Sequence, residues 1–189
     1  MVEQVVDGLL MGASRFLERG YRLPLPDDGT AGSTAIDVYI DALDSNGFAH
    51  VVDEEDGQSS CYIRLNPNLG SLGDNVVESV AIHELHHCVQ FAYTTETDTF
   101  MYEATATFEQ YNALTSDALQ LALDLLYIVR LTHPELSLDD SSDRFEYAGM
   151  LFMKFWVEYG GVDETRLPTL WEQLALTPQW NEALTAAAS

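Results

Sequence analysis

The chain has 189 residues, 47% hydrophobic and 11% aromatic, enough to fill the core of one domain or of two small lobes that share one. Thirty-one acidic residues stand against eight basic ones, a formal net charge of −23, and a surface this acidic repels phosphate backbones and anionic lipid, which excludes nucleic acid and membranes as partners. No apolar run reaches the roughly eighteen residues of a spanning helix, and the first residues lack the basic and apolar regions of a secretory signal, so the expectation is that any export signal has been removed or never existed.

In chain order, apolar residues at Val5, Val6, Leu9, Leu10, Ala13, Phe16 and Leu17 have helical spacing and predict a helix over 2–19, ended by Gly20. A Pro-rich loop over 23–33 follows. Strands are predicted at 36–42 and 61–65, with a weaker one at 48–52. The acidic run Asp53-Glu54-Glu55-Asp56-Gly57 lies between the last two; its spacing is not that of an EF-hand loop, and it reads as a hairpin tip.

Next comes His83-Glu84-Leu85-His86-His87, an H-E-x-x-H string. Residues four apart share a helix face, so His83 and His87 can reach one Zn²⁺ while Glu84 addresses a metal-bound water. Zinc lowers the pKa of that water, and a neighbouring carboxylate can take its proton during attack on a carbonyl and deliver it to the leaving amine. A catalytic zinc needs a third protein ligand and an open position. Glu103, in Tyr102-Glu103-Ala104-Thr105-Ala106 on the next predicted helix, is the best candidate, because the polar stretch 94–99 can turn the chain back. The apolar residues of the zinc helix, among them Val77, Val80, Leu85 and Cys88, fill one broad side, with His83 and His87 at its margin. His86 falls on another side and is expected to face solvent or a supporting partner, not the metal. Glu109, six residues after Glu103, is expected to be a solvated carboxylate, with support of a histidine as the lesser reading.

The pairing of this motif with Glu103 resembles the gluzincins, metallopeptidases whose zinc is held by the two HExxH histidines and a glutamate on a following helix. A closer resemblance is to a group of secreted bacterial metalloproteases, assigned by motif, in which the HExxH helix continues into a segment like Gln90-Phe91-Ala92-Tyr93 and is followed by Glu103-Ala104-Thr105-Ala106. The segments 21–37 and 147–152 add weaker support. The resemblance implies a zinc peptidase that is secreted or extracellular, and names no substrate.

Beyond the zinc helix the pattern is helical, at 101–114, 116–131, 144–159, 167–174 and 179–187, with N-caps at Ser116 or Asp117 and at Ser142 or Asp143. Strands before the zinc helix and helices after it define an α+β, zincin-like class: a single catalytic domain, 1–189, in which 1–94 carries the strands and HExxH helix and 95–189 the glutamate ligand, with substrate in a cleft between the parts. In gluzincins the oxyanion often finds a donor in a later Tyr or His; Tyr147 is the candidate, with packing as the competing role, and His133 and Tyr93 are weaker ones. Cys61 and Cys88 lack metal-ligand spacing, and both a disulfide and two buried thiols remain open. The acidity fits high salt, solubility outside the cell or steering of cationic peptides. Taken together, the expectation is a monomeric zinc metallopeptidase acting on peptides, with His83, His87 and Glu103 on the metal and Glu84 as general base. The alternative is a zinc-binding interaction module that has lost catalysis.

Overall fold

A computed structural model describes residues 1–27, 29, 32–114, 119–121, 123–124, 128–141 and 145–188. The chain is a mixed α+β protein that divides into two compact units, Met1–Glu96 and Thr97–Ser189.

The first unit opens with helix α1, Val2–Arg19, which stops where Gly20 enters the left-handed region at φ 87° and its N–H finds the Leu17 carbonyl. This is the glycine C-cap that the sequence predicts. Strands β1 (Asp37–Ile40), β2 (Gly47–Glu55) and β3 (Gln58–Leu65) form a sheet of order β1-β3-β2, with β1 parallel and β2 antiparallel to β3. The acidic run is indeed at a hairpin tip: Asp56 and Gly57 are its two loop residues, and their φ values of 51° and 75° satisfy the left-handed requirement of a tight hairpin. β2 is the longest strand rather than the weakest, because its pairing with β3 stabilises it beyond the short apolar run visible in sequence.

Helix α2, Asp74–Phe91, carries the HExxH motif and is buried on every side from Ser79 to Gln90. One side is covered by β3, whose Cys61, Ile63 and Leu65 point inward and whose Cys61 is disulfide-bonded to Cys88, with Cα atoms 5.6 Å apart. Another is covered by α1, which comes close because Gly8 and Gly12 present no side chain; a Cβ on Gly8 would lie 2.7 Å from the Glu78 carbonyl oxygen. The histidines are thus inside an enclosed helix, not at the margin of a half-exposed one.

In the second unit α3, Thr99–Ala113, is N-capped by Asp98, whose side chain accepts from the Met101 N–H at 3.1 Å. Helices α4 (Met150–Glu158), α5 (Arg166–Leu176) and α6 (Trp180–Ala187) follow, around a core that includes Phe100, Met101, Met153, Leu167 and Trp171. The helix predicted over 144–159 begins only at Met150, preceded by a 3-10 turn, Tyr147–Gly149. That turn lies tight on α3: a Cβ on Gly149 would stand 2.6 Å from the Phe100 ring and 2.7 Å from Ala104. In the stretch predicted as a helix over 116–131, a 3-10 helix spans Ile128–Thr132, and the expected N-caps at 116, 117, 142 and 143 lie outside the described residues. No described helix is long and apolar enough to cross a membrane.

Candidate metal centre

The local geometry starts with helical periodicity. His83 and His87, one turn apart on α2, are each under a tenth exposed, and their Nε2 atoms stand 3.1 Å from one another with the rings nearly perpendicular, at 87°. Two nitrogens bound to one tetrahedral zinc at about 2.0–2.1 Å are separated by about 3.3 Å, so this pair fits a shared ion with almost no movement. The outcome depends on tautomers. His87 Nδ1 lies 2.7 Å from Gln90 Oε1, an oxygen that only accepts, so Nδ1 carries the hydrogen and Nε2 keeps its lone pair. Gln90 is fully buried, and its contact with His87 was not among the expectations from sequence. The signal was available: Gln90 is three residues after His87, within reach along the helix.

Glu84 is 6% exposed, next to the first histidine. Its carboxylate lies against the start of β2 at Gly47. Glu103 is half-buried on α3, and ligand atoms of His83, His87 and Glu103 all lie within 4.8 Å of one another, a group able to hold a metal ion. Neither cysteine belongs to it, since both are consumed in the disulfide.

Two expectations about neighbouring residues are corrected. His86 does not face solvent: it is fully buried, edge-on to Phe16 and Tyr21 with centroids 5.0 and 5.2 Å away. The cause is α1, which covers that side of α2. Burial, and then the neighbouring His87, His83 and Arg19, push the His86 pKa well below its usual value, so the ring is neutral, and neither nitrogen has a hydrogen-bond partner. Glu109 is also fully buried, because α3 is enclosed continuously from Ala104 to Gln110.

Among the oxyanion candidates, Tyr147 is half-buried in the 3-10 turn that packs on α3 beside Ala104, the residue after Glu103. The Tyr93 hydroxyl accepts the Arg22 N–H at 2.8 Å, with the Arg22 guanidinium 4.5 Å from its ring centre, so it tethers the chain after α1. His133 pairs with Glu135 at 2.9 Å on the surface. No family model, curated protein or solved structure matches the chain.

Proposed function

We propose that the protein is a zinc-dependent metallopeptidase of the gluzincin type, with a zincin-like arrangement of its strands and motif helix. The observation that carries this reading is the group formed by His83, His87 and Glu103, two imidazoles and one carboxylate with ligand atoms within 4.8 Å of one another, and Glu84 is the buried residue that follows His83 on the helix. The donor set suits zinc: nitrogen and oxygen ligands, three from protein, whereas structural zinc sites favour four ligands rich in cysteine. Zinc held there supplies a Lewis acid and makes water acidic enough to ionise near neutral pH.

The chain's own residues do the rest. Glu84 accepts the proton of the attacking water and returns it to the leaving amine, a task that needs a carboxylate aimed at the reacting atoms. Gln90 holds His87 in the tautomer that presents Nε2, and Tyr147 donates its hydroxyl hydrogen to the oxyanion. The disulfide is compatible with an oxidising compartment, which supports a secreted protein. The formal net charge of −23 disfavours polyanions as substrates, and the zinc-and-carboxylate chemistry suits a peptide amide bond.

The test is metal content by mass spectrometry for the parent, His83→Ala and Glu103→Ala. One zinc per chain in the parent and loss of it in both variants is expected. Full zinc retention by Glu103→Ala removes that residue from the ligand set.

A further inference from the structure

The sheet of the first unit has two faces, and α2 covers only one. On the other, strand alternation brings Tyr39 of β1, Tyr62 of β3 and His50 and Phe48 of β2 into one row. The rings touch in sequence: Tyr39 and Tyr62 meet edge-on at 5.7 Å, Tyr62 and His50 stack at 4.6 Å and 10°, and His50 and Phe48 lie 4.4 Å apart. This row is open, with Tyr39 45% and Phe48 51% exposed. At its β1 end the surface dips into a concavity of about 560 Å³ whose lining includes Asp27, Asp37, Tyr39, Asp41, Tyr62 and Arg64.

Charge decides what this surface suits. Arg64 is ion-paired with Asp41, so the one cation among the described lining residues of the concavity is already neutralised. Asp37 accepts the Tyr39 hydroxyl hydrogen at 3.3 Å and Asp27 accepts the Gly29 N–H at 2.8 Å, and neither has a basic partner among the described residues. Burial and the nearby Arg64 push the His50 pKa down, so it adds no positive charge at neutral pH. The result is a pair of uncompensated carboxylates beside exposed π faces, and both attract a cation with an apolar stem. A second copy of a chain with net charge −23 is repelled from such a surface, and so is nucleic acid.

We propose that this face of the sheet, turned away from the HExxH helix, is a docking site for an arginine- or lysine-bearing polypeptide segment, whose cationic side chain enters the concavity between Tyr39, Tyr62 and Asp37 while its stem lies along the aromatic row. The site is separate from the candidate metal centre. Engagement of a basic segment here is independent of zinc and of Glu84, so failure of one reading leaves the other standing.

The experiment uses the full chain and a blocked peptide of four alternating Arg and Gly residues, with the citrulline-for-arginine peptide as its neutral twin. Binding is read by amide chemical-shift changes on titration, in low and in half-molar salt. Expected are shifts centred on Tyr39, Tyr62 and Arg64, loss of binding in high salt, and no binding of the citrulline peptide. Tyr39→Leu, which keeps apolar area and removes the ring, should weaken binding about two- to five-fold, as loss of an exposed cation–π contact does. Asp37→Asn should weaken it similarly, while Glu172→Gln on α5 and treatment with a chelator leave it unchanged. Unchanged melting temperatures of the two variants show that both fold. Equal weakening by Glu172→Gln and Asp37→Asn, or no effect of Tyr39→Leu, would mean diffuse attraction to an acidic surface and overturns the proposal. So does equal binding of the citrulline peptide or preferential binding of a neutral oligosaccharide.

Discussion

Gly47 and Glu84 are in such close contact that a methyl group on the glycine would stand 2.6 Å from Glu84 Oε1 and 2.8 Å from its Cγ. The Gly47 backbone is not left-handed, so conformation alone would admit any residue there. Space is what the position requires: the first residue of β2 forms the wall against which the carboxylate rests. Gly47→Ala must displace the Glu84 side chain, and a shift of about 1 Å in a catalytic group costs on the order of a hundred-fold in rate. We expect kcat to fall by about that factor, with KM and zinc content unchanged. Steady-state kinetics joined to metal analysis separates this from general loss of folding, which would lower zinc content together with apparent kcat.

Gln90 holds His87 through the Nδ1 contact at 2.7 Å. Removing the partner of a metal-binding histidine typically costs about 10- to 100-fold in metal affinity. Gln90→Met, similar in size and unable to accept this bond well, is expected to weaken zinc by that range in a competition titration with a chromogenic chelator. Unaltered zinc affinity would show that the ring is oriented by packing alone.

The bridge between Cys61 and Cys88 ties β3 to the motif helix and closes 27 residues of chain. In the chain-entropy account a loop of this size is worth about 3.5 kcal/mol. The double variant Cys61→Ala, Cys88→Ala should therefore melt lower by roughly 10 °C for a chain of this length. Calorimetry under oxidising conditions measures this, and reduction of the parent should reproduce the shift.

His86 is buried with both ring nitrogens unpaired, a state that costs about 1–3 kcal/mol relative to an apolar residue of similar shape. His86→Leu should raise stability in urea denaturation and leave zinc at one per chain. Loss of zinc would instead place His86 among the ligands.

What the sequence showed and what it concealed divide along the range of the interactions. The stop of α1 at Gly20, the Asp56-Gly57 hairpin and the pairing of His83 with His87 were legible because each is fixed by a few consecutive residues. The burial of His86 and Glu109 was not, because it depends on which elements cover α2 and α3, and a helical wheel carries no such information. The same holds for β1, which pairs directly with β3 although β2 lies between them in sequence, and for Gly47, whose reason lies 37 positions away in Glu84. The turn at Tyr147–Gly149 looked like the first turn of a helix because Tyr-Ala-Gly-Met continues an apolar pattern; the close approach of Gly149 to Phe100 and Ala104 accompanies its tighter winding.

The most direct measurement is cleavage profiling of a peptide library by the parent and by Glu84→Gln, with zinc content determined on the same samples. The account predicts one zinc per chain in both proteins, cleavage by the parent that a chelator abolishes and added zinc restores, and none by the variant. Cleavage by Glu84→Gln at the parental rate, or a parent that binds no metal, contradicts it.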